Sequence, residues 1–163
     1  MTTGITAAIS IADYAAQIGR NIGCSRWIVI DQERIDRFAD AIEDRYFIHV
    51  DPKRARAESP FGGTIAHGFL SLSLLSTMME DVRPEFREPL ISINYGIDRV
   101  RFLSPVPAGS RVRGCFTLSD MNERRSGEYQ LRHQVTVEIE GGKRPALIAD
   151  WLTMLMVRDD GPS

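Results

Sequence analysis

Four long stretches in the second half of the chain carry the side-chain pattern of β-strands. They are rich in Val, Ile, Thr, Tyr and Phe, and several alternate apolar with polar positions. Turn-forming residues separate them at 105–109, 123–127 and 141–142. The predicted strands are Leu90–Phe102, Ser110–Ser119, Glu128–Glu140 and Pro145–Val157. This half of the chain therefore predicts an antiparallel sheet.

The first half of the chain predicts helices and one short strand. Asp31 is a suitable N-cap for an amphipathic helix that should end near Asp44. A Leu-rich segment from His67 to Met79 is apolar on nearly every side, which predicts a buried helix. The other predicted features are a strand at 25–30, short helices at 13–18 and 53–57, and turns at Gly19 and Gly23. Helices followed by strands predict an α+β fold in which the buried helix lies against one face of the sheet.

Length and charge exclude several classes of protein. The 163 residues predict one domain, 1–163, and a net charge of −2 gives no general attraction to nucleic acid or to an anionic membrane. No run approaches the ~20 apolar residues that span a bilayer. Residues 1–16 lack the basic flank and long apolar run of a signal peptide, so we expect a cytoplasmic protein. Cys24 and Cys115 match no metal spacing or disulfide framework, and we expect idle thiols in a reducing compartment.

The stretch from Asp44 to Gly68 concentrates the reactive side chains. It contains two of the three histidines, and Asp44 precedes His49 by five residues. In a helix five residues turn through about 500°, which leaves two side chains about 140° apart. In a strand an odd spacing places them on opposite faces. Asp44 and His49 therefore converge only if the chain between them is irregular, with Tyr46 and Phe47 packed as the floor of that loop.

Three segments resemble the MaoC-like hydratases and dehydratases of the hot-dog fold, in the branch related to nodulation protein N and to R-specific enoyl-CoA hydratases. The segments are Asp44-x4-His49, then Ile65-Ala-His-Gly68 with its Leu/Ser helix, and Asn94-Tyr-Gly-Ile-Asp-Arg-Val-Arg-Phe-x-x-Pro-Val106. The resemblance covers roughly residues 25–157. It implies a central helix wrapped by an antiparallel sheet, and a homodimer with the two sheets joined edge to edge.

The resemblance also implies roles for three residues. Asp44 and His49 would act as an acid–base pair on one water molecule, and the N–H of Gly68 would hold the thioester oxygen as charge develops there. The structural alternatives are a loop histidine beside a helix-terminal aspartate, and a glycine that only permits close packing. Glu43 stands where the family usually has a Gly that allows positive φ, and Tyr46-Phe47 replace its Asn-Pro or Gln-Trp pair.

Further residues are candidates for substrate binding. Ser76 is placed where some family members have a serine that contacts the aspartate, although a small packing residue explains it equally well. Arg99 and Arg101, like Arg111 and Arg113, fall two apart on strands predicted to adjoin, where they could meet the phosphates of CoA or simply pair with acidic residues. From the resemblance we expect Asn94, Tyr95 and Gly96 to line a tunnel for the acyl chain.

No metal is expected in this site. Asp44, His49, Asp51 and His67 could supply ligands, but their spacing matches no known ligand pattern. We predict instead that His67 is structural and bonds the loop. The chemistry that the resemblance implies needs no cofactor beyond the thioester substrate.

The leading hypothesis is hydration of a trans-2-enoyl-CoA to the (R)-3-hydroxyacyl-CoA, or the reverse dehydration. The expected substrate carries its acyl chain on CoA or on an acyl carrier protein. One alternative is hydrolysis of an acyl-CoA thioester on the same fold. Another is a non-catalytic subunit that binds an acyl thioester or a partner, with the altered 43–47 loop marking lost activity.

Overall fold

The computed structural model describes residues 8–158, and the strands in this range form one antiparallel sheet. The sheet order is β1-β4-β5-β6-β3, and β2 also pairs with β4. The strands are β1 (Asn21–Cys24), β2 (Ile28–Ile30), β3 (Leu90–Phe102), β4 (Ser110–Arg125), β5 (Glu128–Ile139) and β6 (Leu147–Val157). The four long strands predicted from the sequence are thus confirmed.

Two details of the strand prediction are wrong. β4 continues to Arg125, so the turn predicted at 123–127 shrinks to a tight hairpin at Ser126-Gly127, where Gly127 has a φ of 76°. Gly23, predicted as a turn, lies within β1 at an irregularity of its pairing with β4. Glycine suits that position because its φ is 136° there, a value that residues with a Cβ avoid.

Helices occupy the first half of the described chain, as expected. They are α1 (Ile11–Ala15), α2 (Gln32–Ile42), α3 (Phe47–Val50), α4 (Pro52–Glu58), α5 (Gly68–Ser73) and α6 (Leu75–Glu80). The Asp31 side chain accepts from the Arg34 N–H and caps α2, as predicted, while Asp51 and Pro52 begin α4. None of these helices is long and apolar enough to cross a membrane.

The central helix is formed by α5 and α6, which meet at Leu74 and pack on one face of the sheet. Leu70 and Met78 are buried in the main core with Phe116 of β4. Gly114 lets α6 approach closely, since a Cβ there would lie 3.0 Å from the sulfur of Met78. The prediction that this helix is buried on nearly every side is wrong: Phe69 is 65% exposed, because the sheet covers only one side of it. A helix wrapped by an antiparallel sheet is nevertheless the predicted hot-dog arrangement.

The two cysteines form a disulfide, contrary to the prediction of idle thiols. Cys24 of β1 lies directly opposite Cys115 of β4, with their Cα atoms 4.0 Å apart. The 91 residues between them hide this proximity in the sequence, and strand pairing creates it. The expectation of a reducing compartment rested on unpaired cysteines, so the disulfide removes its support.

Candidate active site

The loop after α2 begins with a left-handed residue. Glu43 has a φ of 61° and a ψ of 17°, and it reverses the chain at the end of α2. The replacement of the family's glycine has thus not abolished the turn, although a left-handed conformation costs an L-residue roughly 1–2 kcal/mol. Tyr46 is extended, and α3 begins directly after it. The chain between Asp44 and His49 is irregular, as their convergence requires.

His49 is held by its backbone and by one ring nitrogen. Its Nδ1 lies 2.7 Å from the carbonyl oxygen of Ile65. A carbonyl can only accept, so Nδ1 carries the proton in the neutral ring and Nε2 keeps a free lone pair. The pKa of His49 lies below its ordinary value, mainly because burial disfavours the charged form; the Ile65 bond opposes this shift. His49 is therefore suited to act as a base near neutral pH.

His67 holds the loop that follows α2 through a hydrogen bond. Its Nε2 donates to the backbone carbonyl of Asp44 at 2.9 Å, so the predicted bond to the loop is present. The ring is buried, with 4% of its surface exposed, and it stacks on the ring of His49 with centroids 3.7 Å apart. The stack and the bond fix the positions of His49 and Asp44 relative to each other.

The Asp44 carboxylate faces the two imidazoles. One of its oxygens and one nitrogen from each of His49 and His67 all lie within 4.8 Å of one another. Two hydrogen bonds of about 2.8 Å to a common water span nearly this separation. Asp44 is half exposed and also accepts from the Tyr46 N–H at 3.2 Å. The carboxylate and a histidine ring nitrogen are therefore close enough to share one water molecule.

The same three side chains are poorly arranged to chelate a metal ion. The rings of His49 and His67 are stacked at an interplanar angle of 26°, so their lone pairs lie in nearly parallel planes. A tetrahedral ion needs lone pairs that converge on one point. Asp51, the fourth candidate ligand, instead accepts from the Arg54 N–H at the start of α4. The absence of a metal remains a prediction.

A cavity of about 410 Å³ opens beside His49. Its size is typical of small-molecule sites. Its lining is mostly apolar and includes His49, Gly68, Phe69, Ser71, Phe102 and Val106. The catalytic residues predicted from the sequence, Asp44, His49 and Gly68, are thus brought to one region, with His49 and Gly68 in the cavity wall.

Gly68 is the first residue of α5. The N–H groups of Leu70 and Ser71 are both directed at the carbonyl of His67. Among residues 8–158 the N–H of Gly68 has no hydrogen-bond partner, as expected in a first helical turn. A Cβ at this position would lie 2.9 Å from the Phe102 ring. The geometry accommodates both interpretations of Gly68, the free donor and the close-packing glycine.

Four of the predicted substrate-binding residues lie in a second groove. Ser76, Asn94, Tyr95 and Gly96 line about 520 Å³ between the central helix and β3. Ser76 accepts from the Asn94 side chain at 3.3 Å; the sequence had suggested a contact with the aspartate. Phe69 borders both this groove and the His49 cavity. The groove is therefore adjacent to the site, and the binding roles of these four residues remain predictions.

The predicted arrangement of the arginines is wrong. Arg99 and Arg101 are on β3, whereas Arg111 and Arg113 are on β4, and these strands are separated by β5 and β6 in the sheet. On β4, Arg111 forms an ion pair with Glu140, and Arg113 forms one with Glu138.

The β3 pair is turned away from the candidate site. Arg99 pairs in register with Asp150, and Arg101 with Ile148. The side chains of Asp150 and Ile148 point away from the core, whereas that of Ala149 points into it. A phosphate-binding role for Arg99 and Arg101 stays a prediction.

The loop before α3 differs from expectation at Tyr46. Tyr46 is 59% exposed and does not form a floor; Phe47 packs between it and Arg54.

Gln32, at the start of α2, was not identified from the sequence. Its side-chain N–H₂ donates to the His49 carbonyl at 2.7 Å, and its oxygen accepts from Thr64. A glutamine in a first helical turn carries no sequence signal of this role.

Comparison with known proteins identifies the family of this chain. Residues 13–139 match the family model described as MaoC like domain. The nodulation protein N of Rhizobium leguminosarum is 55% identical over 147 residues, covering 90% of this chain and 91% of that protein. The 3-hydroxyacyl-thioester dehydratase Z of Mycobacterium tuberculosis is 45% identical over 141 residues, covering 86% and 92%.

A solved structure supports the fold. The (R)-hydratase from A. caviae involved in PHA biosynthesis superimposes with a TM-score of 0.62 at 24% identity, covering 78% of this chain and 89% of that one. The fold is therefore the hot-dog fold. Together with the match over most of the chain, this shows that the protein belongs to the MaoC-like dehydratase family.

Proposed function

We propose that this protein hydrates a trans-2-enoyl thioester to the (R)-3-hydroxyacyl thioester, or catalyses the reverse dehydration. The observation that carries the proposal is the cluster of Asp44, His49 and His67, with one oxygen or nitrogen of each within 4.8 Å of the others and His49 in the wall of an apolar cavity. The dehydratase at 45% identity and the (R)-hydratase of the same fold support this reaction class and its stereochemistry. CoA and acyl carrier protein are both suitable carriers of the acyl chain.

In the hydration direction Asp44 and His49 act on one water molecule. His49 Nε2 accepts a proton as the water oxygen bonds to C3, and the double-bond electrons move to C2 and the thioester oxygen. The His49 imidazolium then gives this proton to C2, so that H and OH have been added across the double bond and the imidazole is neutral again. Asp44 orients the water through its second hydrogen bond. Dehydration runs through the same steps in reverse: His49 takes a proton from C2 and gives it to the leaving hydroxyl, while Asp44 orients that hydroxyl.

The N–H of Gly68 holds the thioester oxygen. Negative charge develops on that oxygen in either direction, and a fixed N–H donor stabilises it. Gly68 and His49 share one cavity, so an acyl thioester can bind at both. No cofactor enters this reaction.

We further propose a homodimer joined at β3. β3 is an edge strand, and its exposed side chains include Ile91, Ile93 and Ile97. An open apolar strand edge is a suitable surface for pairing with a second copy.

Crotonyl-CoA hydration tests the reaction. We expect purified protein to remove the absorbance of the enoyl-thioester band, and Asp44→Asn to slow that loss at least a hundredfold. Equal rates in the two proteins would refute the role of the pair. Release of free CoA thiol from a saturated acyl-CoA would instead indicate hydrolysis. Binding of acyl-CoA without turnover of short or long enoyl chains would indicate the non-catalytic alternative.

A further inference from the structure

Ser71 has a buried hydroxyl with no hydrogen-bond partner in the described part of the chain. The residue is 2% exposed, and its Oγ is one of four such orphaned side-chain atoms among the described residues. Burying a hydroxyl without a partner is unfavourable, and most buried polar groups in proteins are hydrogen-bonded. Alanine would fill this position without that cost. The unpaired hydroxyl is therefore available to a partner that enters the cavity.

Ser71 lies in the wall of the candidate active site. It lines the same cavity as His49 and Gly68. Gly68 and Ser71 are three residues apart in α5, so they share a helix face. The Cβ of a helical residue leans toward the helix N-terminus, which brings the Ser71 side chain back over the turn that begins at Gly68. The hydroxyl and the free N–H of Gly68 are thus on the same side of the cavity.

The chemistry of the ligand identifies the partner atom. An enoyl thioester that enters this cavity carries one strong hydrogen-bond acceptor near its reacting carbons, the thioester carbonyl oxygen. A carbonyl oxygen has two lone pairs and accepts two donors. Resting on the function proposed above, we propose that Ser71 Oγ–H is the second donor to the thioester oxygen, beside the Gly68 N–H. Ser71 thereby contacts the substrate and stabilises the charge that develops on its carbonyl.

The test compares Ser71→Ala with a serine whose hydroxyl is already bonded. Ser119 of β4 donates to the Arg132 carbonyl at 3.1 Å and lies outside the cavity, so Ser119→Ala is the matched control. We expect Ser71→Ala to lower kcat for crotonyl-CoA about a hundredfold, the usual effect of losing one oxyanion donor. Its Tm should stay level or rise, since an unpaired buried hydroxyl is removed. Ser119→Ala should keep its kcat and lose stability. A Ser71→Ala protein with unchanged kcat would overturn the proposal.

Infrared spectroscopy supplies a readout that a packing role would not move. Butyryl-CoA labelled with ¹³C at the carbonyl is saturated and cannot be hydrated. On binding to wild type or Ser119→Ala its carbonyl band should shift to lower frequency, and in Ser71→Ala much of that shift should be lost. An identical band in all three proteins, or no binding to wild type, would overturn the inference. A Ser71-dependent shift in a protein that hydrates no enoyl thioester would sink the proposed reaction and keep the carbonyl contact.

Discussion

His49 and His133 are both withdrawn from solvent, yet their surroundings differ in one decisive way. His49 stands beside a cavity, a stacked imidazole and the Asp44 carboxylate. His133 is 2% exposed in the sheet, with Tyr14 at 3.3 Å and Trp151 nearby. The pKa of each is lowered by burial, to about 4 for His133. A lowered pKa therefore does not identify a catalytic histidine; an open cavity and a nearby acid do.

Replacing His49, the catalytic candidate, should give the largest loss of hydration rate. We expect His49→Gln to lower kcat/KM for enoyl-thioester hydration about a thousandfold, because glutamine can still donate to Ile65 but cannot accept the proton. His133→Gln should leave the rate within a fewfold of wild type. A steady-state assay of both variants sharpens the comparison. If His49→Gln kept a tenth of the rate, the distinction between the two histidines would collapse.

The core histidine should instead govern stability in acid. Because the pKa of His133 is about 4 when folded and near 6.5 when exposed, the unfolded chain takes up the proton first as pH falls. The contribution of neutral His133 is complete above pH 6.5 and is lost progressively down to pH 4, by up to about 3 kcal/mol. Urea unfolding at pH 7, 5.5 and 4.5 measures it. His133→Gln should flatten this dependence.

A second variant isolates the cause of that acid sensitivity. Tyr14→Phe removes the hydroxyl at 3.3 Å but leaves His133 buried. Since burial is the source of the lowered pKa, the dependence of stability on pH should persist in Tyr14→Phe. An unaltered slope in His133→Gln would show that other groups cause the acid sensitivity.

A smaller effect is expected from the residue that holds His49 in place. Gln32→Ala removes the bond to the His49 carbonyl, so we expect kcat to fall about tenfold with little change in KM, a loss of about 1.4 kcal/mol. Glu33→Ala, an exposed neighbour on the same helix, is the control. A change in KM with an unchanged kcat would contradict a positioning role.

The smallest expected effect concerns the strained loop residue. Glu43→Gly should raise the free energy of unfolding by about 1 kcal/mol, because glycine adopts positive φ without steric cost. Ala41→Gly, two residues earlier within α2, should lower it by a similar amount, about 1 kcal/mol. Chemical denaturation of both proteins measures the difference. Destabilisation by Glu43→Gly would mean that the Glu43 side chain stabilises the loop.

Local patterns determined much of this protein. The alternation after Pro89 predicted β3, β5 and β6 closely and the start of β4, because a half-buried strand imposes its period on the side chains. Asp31 and Asp51 predicted helix starts, since capping uses bonds within three residues. The order of motifs pointed to the family. Asp44, His49 and Gly68 were predicted as site residues because each belongs to a short segment that resembles the family, and their catalytic roles stay predictions.

Contacts between distant segments were decided only by the tertiary structure. Strand order separated the arginines of β3 from those of β4, and it paired Cys24 with Cys115 across 91 residues. Gln32 reaches His49, and His67 stacks on it, through packing that no local pattern encodes. Ser71 and Ser76 are similar in sequence context, yet folding buries the first in the site and leaves the second exposed. Pairing and burial depend on the whole chain, and a local pattern contains only its neighbours.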